Sequence, residues 1–268
     1  MSKAKRVQRI VGLTKNFIDN PSHLFSLADF CEEFKVAKST LSEDIQTIRS
    51  TFEEYKFGTI ETVTGAGGGV RYLPLGDLQE EQQQLLEIAQ LLKTPERILP
   101  GGFLYMNDIL FSPQTCKRLA KMFYTRMHHL QPDYIMTLET KGIPIALMVA
   151  KAFDIPLVTA RRGSKVTEGS TVSINYVSGS TKMVQTMSLP KRSLPPGAKV
   201  LIIDDFMKAG GTAQGLIDLI KEFNATPVGV GVLVTTKEPV EKLVKDYLAF
   251  LVLNGVDEHT KIADIAPL

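Results

Sequence analysis

The stretch that most limits what this chain can fold into is residues 200–213, VLIIDDFMKAGGTA. Four apolar residues, Val200 to Ile203, lead to two adjacent carboxylates, Asp204 and Asp205, and then to a small-residue loop ending at Gly210, Gly211 and Thr212. Apolar residues then recur at helical spacing: Leu216, Ile217, Leu219, Ile220 and Phe223. An apolar run without alternation marks a strand covered on both faces, so the order strand, loop, helix belongs to a parallel sheet flanked by helices. Glycines let the loop backbone close around a ligand. The unpaired N–H groups of the helix's first turn, at the positive end of its dipole, suit a phosphate. Two acids placed just before such a loop cannot also hold that phosphate; they suit the hydroxyls of an attached sugar, or a metal ion carried on it.

The surrounding chain repeats the alternation. Strands are predicted at 134–138, 155–160, 229–234 and 247–253, with helices at 143–153 and 238–245. Two further strand-like pieces, 172–177 and 182–188, lie in a polar segment. Ligands of such sheets bind beyond the carboxyl ends of the strands, and the loops at 139–142, 161–165 and 205–212 all lie there. Lys141 and Gly142, at a helix N-terminus, can hold a second anionic group, and Arg161, Arg162 and Lys165 can close on it. Three loops thus converge on one polyanionic ligand.

The first 73 residues have a different character. A helix at 3–19 carries Lys3, Lys5, Arg6, Arg9 and Lys15 on its predicted outer face, with Val7, Ile10, Val11, Leu13, Thr14, Phe17 and Ile18 inward. Ser26 caps a short helix at 27–34. A helix at 39–55 buries Leu41, Ile45, Ile48 and Phe52. The residues at 59–63 and 70–73 form a hairpin with a glycine-rich tip. Three helices followed by a hairpin make a winged helix-turn-helix. The second helix of such a pair enters the major groove by its N-terminal end, here Lys38, Ser39, Thr40 and Ser42, with Glu43 and Asp44 close behind. Arg71 in the wing is a further phosphate contact. Over residues 1–73 ten basic side chains face nine acidic ones, so a duplex would be held by a local patch, which dimerisation would double.

Composition fits two globular domains: 268 residues, 44% hydrophobic, 22% charged, net charge +2. The apolar runs fall short of a membrane span, and residues 1–20 contain no signal-peptide core, which points to the cytoplasm. Cys31 and Cys116 read as core thiols. His128 and His129 lack the spacing of a helical metal pair, and no metal site is predicted. Pro74-Leu75-Gly76 divides the chain into 1–74 and 75–268. The second part opens with amphipathic helices at 78–93 and, capped by Ser112-Pro113, at 113–130.

Residues 202–211, IIDDFMKAGG, resemble the phosphoribosyl pyrophosphate (PRPP) motif of type I phosphoribosyltransferases, with a departure at Lys208, where a small hydroxyl residue is usual. The resemblance implies that Asp204 and Asp205 face the ribose hydroxyls. It implies that Ala209, Gly210, Gly211 and Thr212 hold the 5′-phosphate, and that Thr140, Lys141 and Gly142 contact pyrophosphate; Lys208 would add a PRPP-binding cation in place of part of the Mg²⁺ charge. Together with 161–179, RRGSKVTEGSTVSINYVSG, and 185–193, QTMSLPKRS, the chain resembles the purine operon repressor family of Gram-positive bacteria over essentially its whole length. That resemblance implies a dimeric, non-catalytic DNA-binding regulator of purine biosynthesis and transport genes. PRPP, with or without Mg²⁺, would be the effector that releases operator DNA, and guanosine alarmones would be competitors for its site. The alternative is a catalytically active purine phosphoribosyltransferase with an appended dimerisation domain.

Overall fold

The structure, a computed structural model, describes residues 4–65, 67–163, 169–177 and 183–268. The chain divides into two compact units, Met1–Asp77 with Lys151–Asp154, and the remainder.

In the first unit, helices α1 (Arg6–Asp19), α2 (Leu27–Phe34) and α3 (Lys38–Glu54) precede an antiparallel hairpin, β1 (Thr59–Val63) and β2 (Gly69–Leu73). This is the winged-helix arrangement. Ser26 Oγ accepts the Ala28 N–H and caps α2. Leu13, Phe17, Phe30, Leu41, Ile45, Ile48, Phe52, Ile60 and Val70 form the core. Complete burial of a side chain such as Leu13 or Phe17 stabilises by roughly 1.5–3 kcal/mol. The inward face of α1 differs from the predicted one. Its buried residues are Arg9, Leu13 and Phe17, spaced by four, whereas Val7, Val11 and Ile18 are exposed.

The second unit is built on a six-stranded sheet ordered β12-β11-β10-β9-β5-β6. Strands β5 (Tyr134–Leu138), β6 (Leu157–Ala160), β9 (Lys199–Met207), β10 (Thr226–Thr236) and β11 (Leu248–Asp257) run parallel. The edge strand β12 (Ile262–Pro267) is antiparallel to β11 and was not expected from the alternation of strands and helices. Val200 and Ile202 pack with α8 (Gly211–Glu222) through Leu216, Leu219 and Ile220. The antiparallel hairpin β7 (Thr171–Val177) and β8 (Val184–Pro190) joins that face through Tyr176, Met187 and Leu189. Strand alternation sends Leu201 and Ile203 to the opposite face, where α6 (Pro113–Met127) places Phe123 edge-on to Phe250 at 4.7 Å. Sheet residues buried on both faces explain the unbroken apolar run. Helices α4 (Leu78–Leu92), α5 (Asn107–Leu110) and α7 (Ile143–Phe153) and the two-residue strands β3 (Ile98–Leu99) and β4 (Phe103–Leu104) complete the unit. The helix expected at 238–245 is absent. Its donors serve other elements instead: the Leu243 N–H donates to Ala209 O at 3.0 Å, and the Lys242 side chain donates through Nζ to Thr236 O, at the end of β10, at 2.7 Å.

Candidate functional site

Strand order locates the site. After β5 the chain crosses through α7 to β6 on one side; after β9 it crosses through α8 to β10 on the other. The connections diverge between β5 and β9, which leaves a crevice beyond their carboxyl ends. The motif strand does not stop at Ile203 as the sequence suggested. It stays paired with β10 through both acids, Asp204 opposite Val232 and Met207 opposite Thr235, whereas pairing with β5 ends at Met136 and Ile202. One edge of β9 is thereby freed exactly where its sequence turns acidic.

A cleft of about 270 Å³ fills this opening, lined by Leu138, Glu139, Thr140, Lys141, Arg162, Asp204, Asp205, Lys208, Ala209, Gly210, Gly211 and Thr212 among others. Gly210 caps α8 with a left-handed backbone, φ 82°, and a Cβ on it would stand 3.2 Å from the Val244 nitrogen; both facts favour glycine. The first turn of α8 thus presents its N–H groups to the cleft.

The acids sit deep. Asp205 is 9% exposed, and Asp204, half-buried, accepts the Asp205 N–H on Oδ1 at 2.9 Å. Burial pushes the Asp204 carboxyl well above the usual carboxylate range, and the charge of Asp205 pushes it further, against the pull of Arg162. Burial also raises Asp205, opposed by sharing of the Asp204 proton, by backbone N–H groups and by Lys141. The upward shifts favour a proton shared between the two carboxyls, and a pair that shares one can both donate to and accept from vicinal hydroxyls. Lys141, Arg162 and Lys208 supply positive charge around it.

Of the other expected ligand residues, Gly142 is where the pyrophosphate-type loop meets the acid. A Cβ there would lie 2.6 Å from Asp204 Oδ1 and 2.4 Å from Thr137 Oγ1. Arg161 is outside the lining: its backbone pairs with Ser188 and its guanidinium lies 3.9 Å from Glu139. Lys165 falls outside the described residues. Sequence reasoning gave Glu139 no role, yet its Oε1 accepts the Arg162 N–H at 3.0 Å and ties two cleft loops together.

On the first unit, Lys5, Lys38, Ser39 and Ser42 are exposed and Thr40 half-buried. The Ser42 hydroxyl donates to Lys38 O at 2.9 Å. Arg9 must be corrected. It is 6% exposed, with Nε 2.6 Å from Asp44 and Nη1 on Ala4 O at 2.8 Å, so it is an internal strut that cannot meet a phosphate. Arg6 also faces α3, on Asp44 and Thr47. Asp44, expected behind the groove-facing residues as an opposing charge, is thereby buried and neutralised. Arg71 pairs across the hairpin with Glu61 at 2.6 Å. Lys3 lies outside the described residues.

Comparison with known proteins accords with both units. Residues 5–74 match the family model "Bacterial purine repressor, N-terminal", and residues 106–263 match "Phosphoribosyl transferase domain". The chain is 46% identical to the purine biosynthesis transcriptional repressor PurR of Bacillus subtilis (strain 168), over 98% of this chain and 92% of that one. It is 40% identical to the purine biosynthesis transcriptional activator PurR of Lactococcus lactis subsp. lactis (strain IL1403), over 97% and 96%. Among solved structures, adenine phosphoribosyltransferase of Saccharomyces cerevisiae superposes with a TM-score of 0.54 at 20% identity, covering 64% of this chain and 98% of that one, a likeness of fold. Matched along nearly its whole length by curated regulators, this chain belongs to the bacterial purine repressor family.

Proposed function

We propose that this protein is a DNA-binding repressor of purine biosynthesis and transport genes that PRPP releases from its operator. The observation that carries the reading is the conjunction, beyond one sheet edge, of a buried acid pair, a glycine-capped helix N-terminus and the cations Lys141, Arg162 and Lys208. That set matches the parts of PRPP: ribose hydroxyls on Asp204 and Asp205, 5′-phosphate on Ala209 to Thr212, pyrophosphate on Thr140 to Gly142 with Arg162 closing. Mg²⁺ accompanies the pyrophosphate and is carried in with the ligand. Lys208 adds charge beside the same phosphates. The named relatives are regulators. Guanosine alarmones, which also carry pyrophosphate on ribose, compete for the cleft.

The first unit grips duplex DNA through the N-terminal end of α3, where Lys38, Ser39, Thr40 and Ser42 meet the major groove, and through Lys5. A cytoplasmic homodimer presents two such units. Any effect of PRPP requires unequal affinity for the DNA-bound and free states. The test is a titration of operator DNA with and without PRPP and Mg²⁺. PRPP weakens binding if the reading holds; unchanged binding, or steady formation of nucleotide when a purine base is added, overturns it.

A further inference from the structure

We infer that Thr137 is a positioning residue for the ligand site, its hydroxyl held in reserve to anchor Asp204 when the cleft is occupied. The inference rests on the PRPP reading of the cleft and names a residue outside the cleft lining. Thr137 is fully buried on β5, beside the edge strand β6, in the otherwise apolar run Tyr134–Leu138. Its Oγ1 has no hydrogen-bond partner among the described residues. A hydroxyl left so in an apolar sheet is costly, and a valine would fill the same volume without the penalty.

The geometry points to what the hydroxyl serves. A Cβ placed on Gly142 would touch Thr137 Oγ1 at 2.4 Å and Asp204 Oδ1 at 2.6 Å. The two oxygens therefore flank one point in space, kept open because residue 142 has no side chain. Asp204 Oδ1 accepts the Asp205 N–H at 2.9 Å and keeps a second lone pair. When the ribose hydroxyls engage the acid pair, rotation of the Thr137 side chain into the space that Gly142 leaves open lets its hydroxyl donate to Asp204 Oδ1. The bond fixes the carboxyl from behind while the ligand holds it from in front. Thr137 touches no ligand; it acts through Asp204.

The experiment compares the full-length protein with Thr137→Val and Thr137→Ser, by thermal melting without ligand and by calorimetric titration with PRPP and Mg²⁺. In Thr137→Val, the melting temperature of the free protein rises by about a few degrees, since an unpaired buried hydroxyl is removed. PRPP affinity falls about tenfold, the size of one hydrogen bond to a charged group. Thr137→Ser, which keeps the hydroxyl, restores affinity to within about twofold of the parent. A residue that merely packs would lose stability and affinity together. Parent-like PRPP affinity in Thr137→Val, or loss of stability alongside affinity, overturns the inference while leaving the PRPP reading intact. Absence of PRPP binding by the parent protein instead overturns the reading on which the inference rests.

Discussion

Gly142→Ala is the substitution for which the structure supplies the magnitude. The added methyl would lie 2.4 Å from Thr137 Oγ1 and 2.6 Å from Asp204 Oδ1. Regaining even the shortest tolerable separation requires each neighbour, or the start of α7, to retreat by about half an ångström, and overpacking of this kind costs about 1–3 kcal/mol. Stiffening of the unfolded chain by alanine offsets about 0.4–1 kcal/mol of that. The net loss of about 1–2 kcal/mol lowers the melting temperature of a unit this size by roughly 2–8 °C. The larger effect falls on the ligand. The backbone of Thr137 is held in the sheet, so the strain falls on Asp204 and the 139–142 loop as well, and these are the groups assigned to ribose and pyrophosphate. PRPP affinity therefore falls at least about tenfold, because misplacing a binding group forfeits its hydrogen bonds. Operator binding is unchanged, since the first unit is untouched. Calorimetry with PRPP and Mg²⁺, a thermal melt and an operator titration read the three quantities. A Gly142→Ala protein that binds PRPP within twofold of the parent would refute the placement of the ligand against Asp204 and the 139–142 loop.

Asp204→Asn or Asp205→Asn leaves operator binding intact and abolishes its release by PRPP; release at parental PRPP concentrations would exclude the ribose role. Asp204→Asn also raises stability at neutral pH. A carboxyl whose folded pKa is raised stabilises fully below the unfolded value near 3.9 and loses that contribution as pH rises through the folded value. Melts across pH therefore show an advantage for Asn that shrinks as the pH is lowered, and an advantage growing toward acid would contradict the sign. Lys38→Ala weakens operator binding and reduces the magnitude of its salt slope by about 1; an unchanged slope would remove Lys38 from the phosphate contacts. Arg9→Ala leaves the buried Asp44 carboxylate, of its partners Arg6 and Arg9, with only the exposed Arg6, and destabilises the first unit by up to about 3–5 kcal/mol. A folded, fully stable Arg9→Ala protein with a reduced salt slope would restore Arg9 to the DNA face.

What the sequence disclosed follows from how far apart the interacting residues lie along the chain. The ligand loop was legible because phosphate binding at a helix N-terminus needs only consecutive residues, and 200–213 contains all of them. Strand β5 and helix α7 occupy the residues that periodicity assigned them, because both are apolar on the faces that the sheet buries. Helix α1 was misread because its exposed Val7, Val11 and Ile18 are spaced as helically as its buried Arg9, Leu13 and Phe17. Only the Asp44 carboxylate, 35 residues away, decides that an arginine faces inward. The bracket from Glu139 to the Arg162 N–H spans 23 residues and leaves no local trace. Strand β12 did carry a signal, the alternation of buried Ala263 and Ile265, but not one that distinguishes antiparallel from parallel pairing.

The cleft shows the same division at closer range. Asp204 and Asp205 announce a polar site, but adjacency in sequence does not say how far the strand continues through them. That depends on β9 remaining paired to β10 after its pairing with β5 has ended. The release of one strand edge turns two buried sheet residues into groups that can meet a ligand while the other edge still holds them rigid. Their raised pKa values have the same origin, since the sheet that fixes the acids also keeps water from them. A loop-borne pair would be better solvated and more easily ionised, but free to move away when the cleft is empty. A pair whose backbone is fixed by the sheet leaves only side-chain adjustment to the ligand, so most of the free energy of ordering is settled on folding and binding energy remains available to favour one state of the protein over another.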